Sequence, residues 1–234
     1  MWVCQYIIEF MFLSCLGWVW ETVYCTLDNK QWESRGFLFG PVCPIYGVGA
    51  IGGFALLDIL KICGKDPLTW WQVLLIAFFG SAVLEYTTSY VLEKLFHAVW
   101  WDYSKMPLNI NGRICLPASL GFALAGLLVV YVLYPWLHGW LAVWPPTVLA
   151  LTAVVLTVIF TIDMTMTVTS LTDILHRIQR WDESINEQMT ERVEGLYNNM
   201  NVVSRRVLSR IKEVRLKQPA QIKAFRKLLE KIKK

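Results

Sequence analysis

Charged residues are scarce in this sequence, and their scarcity excludes an ordinary soluble domain. They account for 17% of the 234 residues, and hydrophobic residues account for 56%. Soluble globular domains carry about a quarter charged residues. The apolar excess here lies in long runs, and roughly 20 consecutive apolar residues suffice for a helix to cross the hydrocarbon core of a bilayer. The composition therefore predicts an integral membrane protein.

Metal and cofactor motifs are also lacking. The six cysteines lie in or beside apolar runs and form no CxxC pair, and the three histidines are far apart in the sequence. Neither a disulfide framework nor a metal site is expected from such a pattern. The sequence has no Walker A pattern and therefore predicts no ATPase site of its own. We expect no cofactor.

Five apolar runs are long enough to cross a bilayer. They are predicted to be helices, because unpaired backbone polar groups are too costly in lipid. The first run lacks the basic segment and cleavage site of a secretory signal, so we expect it to remain in the protein. The fold class predicted is all-α, with a polytopic membrane bundle in residues 1–170 and a basic cytoplasmic tail in residues 171–234. The predicted spans are about 3–25, 41–62, 71–95, 115–136 and 146–169.

The orientation of the bundle follows from its basic residues, because lysine and arginine favour loops on the cytoplasmic side. The loops after spans 1 and 3, counted with the adjoining span ends, carry five such residues. The loops after spans 2 and 4, counted in the same way, carry two, and the tail carries fifteen. Tryptophans also gather near both predicted membrane boundaries, where aromatic side chains are favoured. We therefore predict an outside N-terminus and a cytoplasmic C-terminus.

Three acidic residues fall in the predicted cytoplasmic half of the membrane: Glu21, Glu85 and Asp163. A carboxylate at membrane depth is costly unless it is paired, neutralised or solvated, and such residues often mark functional sites. Two interpretations stay open. Either the three acids converge on an inward-facing polar cavity that binds a substrate or cation, or they pair with Arg35 and Arg113 to fix the packing of the helices.

The first predicted cytoplasmic loop, residues 35–47, is dense in glycine and proline. These residues break helices and permit close approach of backbone segments. Non-helical backbone near membrane depth survives only where it is buried in protein or lines water. The loop is therefore a candidate binding element, and Arg35 and Tyr46 are its candidate side chains.

The second predicted cytoplasmic loop concentrates polar side chains between two apolar spans. Its candidates are Asp102, Asn109, Asn111 and Arg113. The guanidinium of arginine offers a fork of donors that suits phosphate or carboxylate. A lipid headgroup or an anionic substrate would fit this loop, and so would an ordinary capped turn beside a pair of interfacial tryptophans.

Several motifs give the chain a resemblance to a known family. Over roughly residues 5–135 the sequence resembles the bacterial ABC-transporter type IV permeases, also called CmpB-like proteins. The resemblance implies a multi-pass protein of the bacterial inner membrane, a permease role and a separate ATPase subunit. The motifs that carry it are Gly17-Trp18 through Glu21, Arg35-Gly36-Phe37-Leu38 through Gly40-Pro41, Pro44-Ile45-Tyr46-Gly47, Leu84-Glu85-Tyr86, Trp100-Trp101-Asp102-Tyr103-Ser104 and Asn109-Ile110-Asn111-Gly112-Arg113-Ile114-Cys115.

The tail carries a net charge of +7 and an apolar stripe with a mean spacing of 3.58 residues. This spacing is close to the period of a straight α-helix. We predict one amphipathic helix over about 171–216 and a short helix over about 220–233. The stripe needs a covering surface, which a homo-oligomeric helical bundle (a coiled-coil-like assembly), a partner protein or the membrane lipids would supply. Nucleic acid is not an expected partner.

Three functions are compatible with the sequence. The first is a permease-like transport component with an inward-facing polar site. The second is a membrane enzyme acting on a lipid headgroup, with Glu85 or Asp102 as acid or base and Arg113 holding phosphate. The third is a non-catalytic oligomeric scaffold. The sequence shows no nucleophile–base pair, which argues against an enzyme.

Overall fold

The computed structural model describes residues 1–30, 32, 35–63, 68–179, 189–214 and 219–233. Over these residues the named elements are helices apart from one pair of two-residue strands. The elements in chain order are α1 (Trp2–Asn29), α2 (Pro44–Ile62), α3 (Trp70–Phe96), β1 (Ala98–Val99), α4 (Leu116–Leu128), a π-helical turn (Val129–Leu133), α5 (Tyr134–Ala142), α6 (Pro146–Gln179), α7 (Met189–Asn198), α8 (Val202–Ser209), β2 (Glu213–Val214) and α9 (Pro219–Lys233).

The predicted helical membrane bundle is confirmed. Within the described ranges, four helices are long and apolar enough to cross a membrane: Trp2–Leu27, Trp70–Phe96, Leu116–Ala142 and Pro146–Ile178. The helix predicted as span 2 is shorter, with an apolar stretch at Pro44–Leu60. It is shorter because residues 36–43 at its start are not helical. The number of crossings therefore depends on whether α2 completes one.

The third long helix contains a π-helical turn with a local cause. Pro135 is the second residue of α5, directly after the turn. Proline has no backbone N–H, and its ring clashes with the carbonyl of the residue four positions earlier. A widened turn relieves this clash without ending the helix. As a result, α4 and α5 continue as one apolar helix, and the first residues of α5 turn relative to α4.

The bundle has two distinguishable ends. We call the end where α6 enters the tail the tail end, and the opposite end, where α1 begins, the far end. Helix α6 has 34 residues, a length of about 51 Å at 1.5 Å per residue. A bilayer core is only about 30 Å thick. Therefore α6 extends well beyond the apolar part of the bundle and forms the base of the tail.

The predicted continuous helix over 171–216 is wrong. Helix α6 continues to Gln179, but α7 ends at Asn198 and a new helix, α8, begins at Val202. The side chain of Asn201 caps α8 by accepting a hydrogen bond of 2.7 Å from the backbone N–H of Ser204. Asparagine favours such caps over helix interiors. The short helix predicted at about 220–233 corresponds to α9.

Many apolar side chains in the described part of the tail are buried within the chain itself. Strand β2 pairs antiparallel with β1, directly after α3, and holds the tail against the tail end of the bundle. Helices α6 to α9 then share one hydrophobic core with Phe96 and Trp100. The members of the predicted apolar stripe that this core buries are Leu171, Ile174, Ile178, Val193, Leu196, Met200, Val207 and Ile211. These eight residues are therefore covered by other parts of the same chain.

Candidate functional site

Residues 36–43 form a non-helical segment that we call the clamped loop. Asp163 of α6 holds one side of it: its Oδ1 accepts from the N–H of Phe39 at 3.0 Å and its Oδ2 from the N–H of Gly40 at 2.9 Å. Thr167, one turn later, also accepts from Phe39 at 3.1 Å. A Cβ at Gly40 would lie 2.7 Å from the Asp163 carboxylate. Glycine at position 40 therefore lets the backbone approach this acid.

Arg210 holds the other side of the clamped loop. Its guanidinium donates to the carbonyl oxygens of Gly36 at 3.2 Å and Phe39 at 3.4 Å. The residue is only 4% exposed although it lies at the end of α8 in the tail. Burial, together with the charge of Arg206, lowers the pKa of Arg210 to about 10. The side chain therefore remains charged at neutral pH, and these bonds are charge-assisted.

The clamped loop reaches deep into the bundle. The N–H of Cys43 donates to the carbonyl of Ser14 at 3.0 Å. Ser14 lies twelve residues after Trp2 in α1, about 18 Å along the helix. Irregular backbone at such depth needs partners within the protein. Asp163, Arg210 and Ser14 supply them, which explains how this sequence tolerates a break in helix at membrane depth.

Beside the loop, Glu21 and Tyr46 join α1 to α2. The hydroxyl of Tyr46 donates to Glu21 Oε1 at 3.0 Å, and the Cys43 thiol is 3.9 Å from Glu21 Oε2. A Cβ at Gly17 would lie 2.3 Å from the Tyr46 ring. The tyrosine therefore packs directly on the helix backbone, one turn before the acid that it contacts.

Glu85 and Tyr103 form a second acid–tyrosine pair. The Tyr103 hydroxyl donates to Glu85 Oε1 at 3.3 Å, whereas the buried Glu85 Oε2 has no hydrogen-bond partner. The pKa of Tyr103 is raised by burial and also by the negative charges of Glu85 and Glu21. Both acids are therefore close to one hydroxyl. We call the group Glu21, Tyr46, Glu85 and Tyr103 the acidic site.

Two other predicted residues, Arg35 and Asp163, lie outside the acidic site. Arg35 is near enough to Glu21 for its positive charge to act on that carboxylate, and its backbone N–H donates to Thr22 at 3.4 Å. Asp163, in α6, instead accepts hydrogen bonds from the backbone of the clamped loop. The structure thus brings together two of the three predicted acids and assigns the third to the backbone of the loop.

Arg113 packs against helix α3. Its guanidinium forms an ion pair with Glu93 and donates to Ser89 at 3.1 Å, both on α3. It also lies over the rings of Tyr86 and Tyr90, at 5.6 and 5.5 Å from their centroids. These contacts favour the interpretation in which Arg113 fixes helix packing.

Asp102 and Asn109 shape the second loop. Asp102 Oδ1 accepts from the N–H of Ser104 at 2.9 Å, and Asn109 Oδ1 accepts from the N–H of Gly112 at 3.2 Å. Such side-chain bonds to nearby backbone are typical of tight turns. Asn111 donates to the Tyr86 hydroxyl at 3.1 Å. This geometry matches the capped turn described above.

Comparison with known families agrees with this architecture. The family model ABC_trans_CmpB, described as "Putative ABC-transporter type IV", matches residues 8–168. The chain belongs to this CmpB family. No curated protein and no solved structure matches the chain. The CmpB segment includes the clamped loop, Asp163 and the whole acidic site, but it ends before the tail and therefore before Arg210.

Sequence reasoning missed two residues, Tyr103 in the acidic site and Arg210 at the clamped loop. Tyr103 lies next to Asp102, but only the fold shows that its hydroxyl reaches Glu85. Arg210 is one of fifteen basic residues in the tail, and the periodicity of the tail does not distinguish it. Its position directly before the buried Ile211 was the available signal, because a basic residue between buried neighbours often packs inward through its aliphatic stem.

Proposed function

We propose that the chain is a transport component whose acidic site binds a positively charged substrate. The observation that supports this proposal is the meeting of two carboxylates from α1 and α3, each with one tyrosine hydroxyl. The buried Oε2 of Glu85 has no partner. In the described part of the chain, no basic side chain forms an ion pair or hydrogen bond with Glu85.

The charge balance of the site supports a cation as its ligand. Two buried acids near one another are costly unless positive charge or protons compensate them. The positive charge of Arg35 acts on Glu21, so it compensates the negative charge on the Glu21 side of the site. A cationic group between Glu21 and Glu85 would satisfy the free oxygen of Glu85 and keep both tyrosines as donors. The membrane enzyme receives less support, because the phosphate-binding role envisaged for Arg113 is replaced by its contacts with α3.

We further propose that the acidic site opens toward the cytoplasm in a bacterial inner membrane, with the N-terminus outside and α2 crossing as a fifth span. The basic residues of the loops and tail support this orientation. Cys63, exposed after α2, tests it. In a variant with Cys63 as its sole cysteine, an impermeant maleimide should label intact cells. A matched variant with Met106→Cys as its sole cysteine should react only after permeabilisation, and the reverse pattern would overturn the orientation.

A separate ATPase subunit is the partner that the family description suggests. The tail buries its own apolar stripe, so it offers less support for a homo-oligomer than for this partner. Purification of the full chain from its native membrane, followed by mass spectrometry, should recover an ATPase in stoichiometric amount. Recovery of the chain with no ATPase would remove the ABC mechanism while leaving the acidic site to be tested separately.

Thermal unfolding of the purified protein, followed by tryptophan fluorescence, tests the acidic site. The probes are sodium, potassium, choline, ethanolamine and spermidine. A ligand present at 100 times its Kd stabilises the native state by about 2.7 kcal/mol, so we expect at least one probe to raise the Tm. Glu21→Gln and Glu85→Gln should abolish that rise. Glu194→Gln, an exposed change of the same kind in α7, should retain it.

The contrary results are equally clear. An unchanged Tm with all five probes would contradict a cationic substrate. A rise that persists in both acid variants would place the cation elsewhere. Circular dichroism of each variant before heating confirms that a lost response reflects the site and not a lost fold.

A further inference from the structure

A second polar group lies at the far end of the bundle, on the opposite side from the acidic site. We call it the far-end cluster, and its members are Tyr6, Glu9, Asp58, Tyr134 and His138. Glu9 Oε1 lies 3.0 Å from His138 Nδ1. Asp58 accepts from Tyr6 at 2.5 Å on Oδ2 and from Tyr134 at 3.4 Å on Oδ1. Three elements, α1, α2 and α5, thus contribute to one cluster.

Glu9 is the least compensated member of the cluster. It is 0% exposed, and its Oε2 has no hydrogen-bond partner. Neighbouring residues, including Ile8 and Leu137, form an apolar core around this level of the bundle. A carboxylate in such surroundings has a high desolvation cost, and a single imidazole contact meets only one of its two oxygens. The surroundings of Glu9 therefore favour a proton on the carboxyl group or shared with its imidazole partner.

We propose that Glu9 and His138 together bind one exchangeable proton at the far end of the membrane. A proton on the pair permits either a carboxylate facing an imidazolium or a carboxylic acid facing a neutral imidazole. Both arrangements are neutral overall, whereas loss of the proton leaves a buried negative charge. A proton also fits between groups 3.0 Å apart, where a larger cation does not.

Exchange with water passes through the histidine. The His138 side chain is 44% exposed, whereas that of Glu9 is 0% exposed. Imidazole has two ring nitrogens, and one of them meets Glu9. His138 can therefore take a proton from water on one nitrogen and present one to Glu9 on the other.

The surrounding groups favour retention of this proton on the pair. Asp58 accepts hydrogen bonds from two tyrosine hydroxyls. It lies near enough to Glu9 for a charge on one acid to disfavour a charge on the other. The part of α6 that faces this end, residues 146–162, contains no titratable side chain. The nearest basic residue in the sequence of α2 is Lys61, three positions after Asp58.

The π-helical turn gives the pair its orientation. It directly precedes α5, and Tyr134 and His138 are four residues apart, so they share one helix face. Their rings lie 5.2 Å apart between centroids. Such turns occur often at functional sites. Here the turn directs one residue of α5 to Asp58 and the other to Glu9.

Reaction with dicyclohexylcarbodiimide tests the proposal, because this apolar reagent modifies protonated carboxyl groups in membranes. The purified full-length protein is treated at a series of pH values, and modification is measured for the peptide that contains Glu9. Above the midpoint of titration, we expect modification of Glu9 to fall about tenfold per pH unit. Glu21 and Glu85, on separate peptides, report on the acidic site in the same sample.

The decisive comparison uses two variants. His138→Gln should shift the pH profile of Glu9 modification by at least one pH unit, because the coupled base is gone. Trp140→Phe, a change on the same helix at a partly exposed ring, should leave the profile unchanged. Modification of Glu9 that does not depend on pH, or the same profile in wild type and His138→Gln, would overturn the proposal. Neither result bears on cation binding at the acidic site.

Discussion

Replacement of Arg210 by alanine should release the tail from the clamped loop. The guanidinium donates to the carbonyls of Gly36 and Phe39. A hydrogen bond to a charged group is worth about 1.5–3 kcal/mol. The desolvation of the buried guanidinium offsets part of the two bonds, so we expect a net loss of about 3 kcal/mol for docking of the tail. Since 1.4 kcal/mol is about tenfold, undocking should become about 100-fold more frequent.

Hydrogen–deuterium exchange measures this effect directly. Hydrogen bonds to Asp163 protect the amides of Phe39 and Gly40 from exchange, and docking of the tail on the bundle protects the amides of α8. In Arg210→Ala both segments should exchange about 100-fold faster, whereas peptides from α4 and α5 should not change. Arg226→Ala is the matched control, because it removes the same charge from an exposed position of α9. Equal exchange rates in the two variants would refute the proposed role of Arg210. Faster exchange in α8 alone would show that Arg210 holds the tail but does not protect the clamped loop.

Two further predictions concern close contacts. Gly40→Ala should lower the free energy of unfolding by about 1–3 kcal/mol, because its Cβ would lie 2.7 Å from the Asp163 carboxylate. Gly80→Ala, with no neighbour within 4 Å, should leave the free energy of unfolding unchanged. Equal Tm values for these two variants would contradict the tight fit at Gly40. The pKa of Glu194 is lowered by Lys231, 2.9 Å away. A depressed folded-state pKa gives stability that is present above the ordinary pKa of glutamate and is lost as pH falls through the lowered value. The exchange rates of α7 and α9 in wild type and Glu194→Gln should therefore differ slightly at neutral pH and converge in acid, and a difference that persists in acid would exclude this pair as its source.

The sequence predicted the membrane helices well because the bilayer itself sets their length. A run of apolar residues has few alternatives to a helix in lipid. The start of α2 was the exception. Its glycines and prolines signalled irregular backbone, but the sequence did not show that the segment reaches the level of Ser14. That depth depends on Asp163, which is 123 residues away from Gly40.

The candidate site was only partly readable for a related reason. Hydropathy identifies acids at membrane depth, but the rotation of each helix decides which acids meet. Glu21 and Glu85 lie near the same tyrosine hydroxyl, whereas Arg113 selects Glu93 instead of Glu85. Single-sequence patterns cannot supply these rotations, because they follow from the packing of several helices at once.

The tail shows the limit of periodicity as a signal. Its apolar residues repeat at nearly the helical period through Asn201, yet one helix ends and another begins there. Periodicity indicates which residues face a core. It does not show where one helix ends and the next begins when both helices face the same core. Eight residues of the stripe lie in the core of the tail, but they belong to several helices and not to one straight helix.

Helix α6 joins the membrane part and the tail as one continuous helix. It runs without interruption from Pro146 at the far end, through Asp163 at the clamped loop, to Ile178 in the core of the tail. Because one helix carries both regions, movement of the tail is coupled through α6 to the carboxylate that holds Phe39 and Gly40. A protein that binds the tail would therefore act, through α6, on a loop that contacts α1 at Ser14.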